Sequence, residues 1–188
     1  MSKPTIGVFV GSLRKGSYSR QIARILEGLG KDRLDFKEIE LGALQLYNQD
    51  LDDEGHPPQE WTRFREQVQV LDGFLFVTPE YNRSVPAVLK NALDVGSRPY
   101  GKSVWDKKPG AVVSVAPGTL SAFGANHHLR QSLVFLNVPT LQQPEAYIGN
   151  VANLLDEHGN AKEAKTNDFL RVIVEAFADW VELLQRRG

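Results

Sequence analysis

Thr5-Ile6-Gly7-Val8-Phe9-Val10 runs without a break into Gly11-Ser12-Leu13-Arg14-Lys15-Gly16-Ser17-Tyr18-Ser19. The first six residues are a short, continuous apolar run, the pattern of a strand buried on both faces. The next nine carry two glycines, three serine hydroxyls and a guanidinium. Helical spacing then begins, with Ile22, Ile25, Leu26 and Leu29 on one stripe. A buried strand that passes through a polar loop into an amphipathic helix is the opening of a parallel α/β sheet.

The same alternation continues to the far end of the chain. Residues 34–41 read as a second strand, with more alternation and therefore nearer an edge. Residues 47–59 are polar, hold Gly55, Pro57 and Pro58, and read as a long surface loop. Trp61, Phe64, Val68 and Leu71 mark a helix, and residues 74–77 a third buried strand. Ser84 reads as the N-cap of a helix with Pro86 in its first turn and Val85, Val88, Leu89 and Ala92 on one face. Residues 111–115 are a fourth strand, and a helix ending near Asn137 leads to a short fifth strand at residues 138–141. Phe169, Val172, Ile173, Ala176, Phe177 and Trp180 give the closing helix. The prediction is one domain over residues 1–188. Its class is α/β: a flavodoxin-like, doubly wound, five-stranded parallel sheet in the order 2-1-3-4-5, with helices on both faces. Ligands of such sheets bind outside the carboxyl ends of the strands, where the strand order reverses. The residues just after Val10, Val77 and Val115 are therefore the ones to read for chemistry.

The composition narrows the chemistry. Lys plus Arg is 22 against 23 for Asp plus Glu, a formal net charge of -1, so no global basic field draws the chain to nucleic acid or anionic lipid. There is no cysteine, which removes disulfides, thiolate catalysis and cysteine-bound zinc or iron–sulfur clusters; any redox group must be borrowed. No apolar run approaches the roughly 18 residues of a membrane span. Met1-Ser2-Lys3-Pro4 shows no signal-peptide apolar region, so the expectation is a cytoplasmic protein away from membranes. His127 and His128 are helix neighbours about 100° apart and cannot chelate one ion as an i, i+4 pair would. His56 and His158 lie in polar loops, and no metal site is expected.

Three loops fall at the predicted binding edge. In the first, Ser12, Ser17, Ser19 and Arg14 surround the start of a helix, whose free N–H groups and dipole favour an anion. Arg14 adds a planar, bidentate donor suited to phosphate. No Gly-Lys-Ser/Thr ends the loop and no Gly-x-Gly-x-x-Gly is present, so it is fitted to one terminal phosphate and not to a nucleoside triphosphate or dinucleotide. The second loop, Thr78-Pro79-Glu80-Tyr81-Asn82-Arg83-Ser84, offers backbone groups for a flat heteroaromatic edge and a tyrosine to cover it. The third is Ala116-Pro117-Gly118-Thr119 with Ser114 at the strand end, where Gly118 permits close approach of a ligand to the backbone.

Gly11-Ser12-x-Arg14-x-x-Ser17-x-Ser19 followed by Pro79-Glu80-Tyr81-Asn82 resembles the NADPH-dependent FMN reductase family, in particular its bacterial quinone, chromate and azo-dye reductases. Tyr47-Asn48-Gln49-Asp50, Leu89-Lys90-Asn91-Ala92-Leu93-Asp94 and Leu129-Arg130-Gln131 are similar to further family segments, so the likeness covers nearly the whole chain. It implies FMN as cofactor, NADPH or NADH as reductant, a small-molecule electron acceptor and ping-pong turnover. Ser12, Arg14, Ser17, Tyr18 and Ser19 would hold the phosphate. Pro79, Glu80, Tyr81 and Asn82 would follow the ring edge, and Ser114 and Gly118 would approach the ring from the other side. The hydride chemistry belongs to the flavin N5, and no side chain is assigned as a catalyst. The resemblance also implies a homodimer or homotetramer whose flavin pocket the partner completes. Tetrameric relatives often carry Arg and Tyr before the Leu-Arg-Gln run; here the stretch reads Phe123-Gly124-Ala125-Asn126-His127-His128, while Glu145 is retained. Arg83 is a further candidate contact for the nicotinamide donor or the substrate; the alternative for it is a solvated side chain after a turn. The alternative is a flavodoxin-type electron carrier, which typically is strongly acidic and uses a Thr-rich phosphate loop; the near-neutral charge and Arg14 argue against it.

Overall fold

The computed structural model describes residues 3–186. Five strands, β1 (Thr5–Val10), β2 (Asp35–Glu38), β3 (Gly73–Thr78), β4 (Gly110–Val115) and β5 (Ala146–Ile148), form one sheet in the order β2-β1-β3-β4-β5. Every pairing is parallel. The connecting helices are α1 (Tyr18–Gly30), α2 (Gln49–Asp53), α3 (Gln59–Gln69), α4 (Ala87–Gly96), α5 (Phe123–Phe135), α6 (Val151–Leu154) and α7 (Ala164–Gln185). The predicted class and strand order are both present.

The sheet's period of two divides the core. Ile6, Val8, Val10, Leu75, Val77, Val113 and Val115 face α1 and α7. Phe9, Phe74, Phe76 and Val112 face the other way, onto α3, α4 and α5. The second layer is aromatic: Phe9 stacks on Phe76 at 5.2 Å, and Trp105 meets Phe74 edge-on at 5.0 Å. Winding runs outward from β1 to β2 and then back through β3, β4 and β5. Crossovers of one hand must then place α1 on one face and α3 to α5 on the other. That reversal opens the crevice between the carboxyl ends of β1 and β3.

Three expectations change. The fifth strand is Ala146–Ile148, not residues 138–141. The earlier segment does touch the sheet, since Gly110 N–H donates to Pro139 O and Leu141 N–H to Gly110 O. Only a single bridge forms there, between Gly110 and Thr140. Pro139 and Pro144 lack the N–H groups that a longer ladder needs. Ser84 is not a helix cap: α4 begins at Ala87 after Pro86, and Ser84 Oγ lies 3.0 Å from His128 Nδ1. In the closing helix, Phe169 and Val172 face solvent, while Leu170, Ile173, Val174, Phe177, Ala178 and Val181 are buried.

Candidate functional site

Gly11 starts the crevice. Its N–H donates to Val77 O at 2.9 Å, continuing the β1–β3 ladder by one rung. A Cβ there would meet Pro79 Cδ and Thr78 Oγ1, each at 3.1 Å, so glycine lets the two loops pass closely before they diverge. Beyond that point the chain turns into α1. Ser17 caps the helix, its Oγ accepting from Arg20 N–H at 3.3 Å. Ser12 Oγ is the acceptor nearest Arg14 N–H, at 3.5 Å. Among the described residues, the N–H groups of residues 15–19 donate to no protein acceptor. The Ser19 hydroxyl makes no hydrogen bond among the described residues, although Ser12, Ser17 and Ser19 are all buried residues. The Arg14 side chain forms no ion pair among the described residues.

These groups line one hollow of about 250 Å³, bounded by Ser12, Arg14, Ser17, Tyr18 and Ser19 on one side, Pro79, Glu80 and Tyr81 on another, and Val115, Ala116 and Pro117 on the third. Eight of the eleven predicted residues are thus assembled by two loops far apart in the chain, and the third loop closes the remaining side. A second hollow of about 320 Å³ shares Glu80 and Ala116 with the first and adds Arg83, Gly118, Thr119, Leu120, Ser121 and Ala122. Gly118 borders this second hollow, and an added Cβ would meet nothing within 4 Å. A larger hollow of about 510 Å³ lies between α4 and α5, away from the strand ends.

Ser114 is the main correction. It is completely buried, donates to Ser121 O at 2.8 Å and accepts from Asn126 Nδ2 at 3.2 Å. Its hydroxyl is spent holding α5 and the third loop to β4, and it does not reach the hollow. At the end of β4 the pleat points Val115 toward the cleft side and Ser114 toward α5, which the period-two pattern allowed but did not decide. Asn82 also stays outside the lining and instead forms the turn at the loop tip, at φ 51. Glu80 has a role the sequence did not reveal. Its Oε2 accepts from Ala125 N–H at 3.0 Å, so a loop residue caps the first turn of α5, whose own N-cap Ala122 offers no side chain. Gly124 makes this possible, since a Cβ would meet Arg83 O at 2.8 Å and Glu80 Oε2 at 2.9 Å.

Two buried amides also escaped notice. Asn91 accepts from Tyr47 N–H at 2.9 Å and donates to Leu44 O and Gln45 O, fixing the segment before α2. Asn126 links Ser114 to Arg130, whose Nε donates to Asn126 Oδ1 at 2.9 Å. The signal was a polar residue on an otherwise apolar helix face, a position where burial requires hydrogen bonds. Among the described residues, no group of three or more His, Asp or Glu could hold a metal, and no helix is long and apolar enough to cross a membrane.

A row of unpartnered N–H groups at the start of a 13-residue helix, with three hydroxyls and a free guanidinium, fits a phosphate dianion. The apolar part of the same lining, Tyr18, Pro79, Tyr81 and Pro117, suits an aromatic ring system. Comparison with known proteins agrees. Residues 4–153 match the family described as NADPH-dependent FMN reductase. A quinone reductase of Pseudomonas putida is 56% identical over 179 residues, 95% of each chain. A 2-hydroxy-1,4-benzoquinone reductase of a Burkholderia species is 41% identical over 176 residues, 94% of this chain and 95% of the relative. Among solved structures, the flavoenzyme NAD(P)H:(acceptor) oxidoreductase FerB of Paracoccus denitrificans superposes with a TM-score of 0.89 at 38% identity, covering 95% of this chain and 97% of the other.

Proposed function

The chain belongs to the NADPH-dependent FMN reductase family, and from that premise we propose how its cleft divides the work. The protein is an FMN-dependent NAD(P)H oxidoreductase, and quinones are the acceptors we assign to it. Bound FMN supplies the hydride acceptor at N5, so the chain's part is to bind, orient and limit access. Ser12, Arg14, Ser17, Ser19 and the N–H groups of residues 15–19 hold the phosphate. Tyr18 packs against the core and gives the hollow a fixed apolar wall. Pro79, Glu80 and Tyr81 border the ring, with Gly118 at the farther rim. Asn82 acts through the turn it makes, and Ser114 through the position of the third loop.

No side chain is assigned a proton-transfer role. Glu80 is the one carboxylate lining either hollow; its Oε2 is held by Ala125 N–H, and its Oε1 lies 3.4 Å from the Arg83 guanidinium. One open face must serve donor and acceptor in turn, which is the basis for ping-pong kinetics. The observation that carries this reading is the row of unpartnered N–H groups beside Arg14. The test is steady-state oxidation of NADPH by the FMN-loaded protein with 1,4-benzoquinone, with chromatography of the flavin released on denaturation. Parallel double-reciprocal plots and FMN as the released flavin are expected. FAD as the main species, or no quinone-dependent NADPH oxidation, would overturn it.

A further inference from the structure

Tyr81 to Ser84 close a two-residue turn in which Tyr81 N–H donates to Ser84 O at 3.1 Å and Ser84 N–H to Tyr81 O at 3.0 Å. Both central residues are left-handed, Asn82 at φ 51 and Arg83 at φ 66. Turns of this kind favour Asn followed by Gly, because Asn tolerates the left-handed region and Gly has no Cβ to strain. Asn82 is as expected. Arg83 sits where glycine would be unstrained, and strain of this sort persists where something else compensates it.

Contacts within the chain do not compensate it. The Arg83 side chain is 75% exposed, and its partner is Glu80 Oε1 at 3.4 Å, the long end of hydrogen bonding. Glu80 does not depend on that contact, since its other oxygen is held by Ala125 N–H. The backbone of Arg83, by contrast, is seated firmly: its carbonyl fills the space a Cβ on Gly124 would need. A strained but well-anchored backbone therefore presents a nearly free guanidinium at the border of the second hollow. The polar groups around that hollow are otherwise small: Thr119, Ser121 and the Glu80 carboxylate, the last partly neutralised by the start of α5.

We propose that Arg83 is a donor-binding residue that grips the pyrophosphate of the reduced nicotinamide donor. This rests on the reading of the adjoining hollow as the flavin site. A quinone is neutral and offers a guanidinium little, whereas either donor brings a pyrophosphate that an arginine can grip through two parallel hydrogen bonds. The second hollow shares Glu80 and Ala116 with the first, so Arg83 stands beside the reacting end of the donor. The pyrophosphate, common to NADH and NADPH, is nearer that end than the 2′-phosphate of NADPH.

Replacing Arg83 with glycine removes the guanidinium and the backbone strain together. In R83G the KM for NADH and for NADPH should rise by the same factor, about 10- to 100-fold, with kcat changed by less than about twofold. The KM for 1,4-benzoquinone and the flavin content should not move. R83K keeps the charge but not the two parallel hydrogen bonds, and should recover only part of the donor affinity. Calorimetric titration of the FMN-loaded protein with NAD⁺ and NADP⁺ should show the same ratio without turnover. Salt should raise the donor KM of the native protein more steeply than that of R83G. The melting temperature of R83G should equal or exceed the native value. Unchanged donor affinity in R83G, a loss confined to NADPH, or a lower melting temperature with flavin loss would overturn the proposal. Native protein that retains no FMN and does not oxidise NADPH would instead defeat the reading of the flavin site.

Discussion

Arg14 shows how one side chain joins sequence to function. It lies in a loop whose backbone donors already point to an anion, and no acidic side chain competes for it among the described residues. Arg14→Ala should weaken FMN binding by about 1.5–3 kcal/mol, or roughly one to two decades in Kd. Flavin fluorescence titration measures it, and unchanged affinity would mean that Arg14 does not touch the phosphate. Tyr147 gives a second test. Burial, and then the hydrogen bond to Glu145 Oε1 at 2.8 Å, push its phenol up to about 12. The folded chain therefore holds this proton more tightly than the unfolded chain, whose phenol ionises near about 10. The resulting stability is present in full below about pH 10 and is lost as pH rises toward about 12. Urea midpoints at pH 8 and pH 11 should separate less in Tyr147→Phe than in the native protein. Much at this scale was legible before the fold was known, because serine, arginine and a helix start act locally. Ser114 was not, because its orientation depends on which neighbour its pleat faces, and Asn126 sits 12 residues further along the chain.

Elements succeed or fail in the sequence according to how much surface they bury. β1, β3 and β4 are wholly or nearly wholly buried, and their continuous apolar runs announced them. The last strand is three residues long and lies at an edge, too short for its pattern to stand out beside the apolar segment at 138–141, which reads as the strand from sequence alone. The long loop at residues 47–59 proved to contain α2, a short helix without a buried residue of its own. An ion pair holds it: Arg65 donates to both Asp52 oxygens, at 2.8 and 2.7 Å, with the side chains 13% and 3% exposed, and Arg65 Nε donates to Val95 O. No local pattern links Asp52 to a residue on the next helix. Removing one partner of a buried pair strands the other's charge, at a cost of about 3–5 kcal/mol. Asp52→Asn should therefore lower stability by an amount near the bottom of that range in urea unfolding. A loss below about 1 kcal/mol would show that solvent reaches Arg65 freely.

For the whole molecule, the doubly wound sheet was readable because each strand and helix repeated the same message, and the topology then pointed to the three loops at the carboxyl ends of β1, β3 and β4. For assembly, the expectation of a homodimer or homotetramer rests on resemblance alone. The face formed by the ends of α4 and α5 carries Phe135, 82% exposed, and Tyr100, 90% exposed. Two hollows there share Ser97, Arg98, Phe135 and Leu136. If the expected dimer forms, this exposed apolar face is where a second copy would bury surface. Glu145, by contrast, is taken up within one chain, accepting from Tyr147, whose hydroxyl also lies 3.0 Å from His127 Nε2. Any tetramer contact built on Glu145 should then be weaker than the dimer contact. Light scattering at micromolar protein should give a dimer, and Phe135→Asp a monomer; a native monomer, or a tetramer that resists dilution at every pH, would contradict this. The central claim is that the loop after β1 is a phosphate site for a flavin mononucleotide. Titration of the flavin-free protein with FMN and with riboflavin, followed by flavin fluorescence, compares the same ring with and without the phosphate. FMN should bind at least about 100-fold more tightly, as charge-assisted bonds to several donors require; equal affinities for the two flavins would contradict the account.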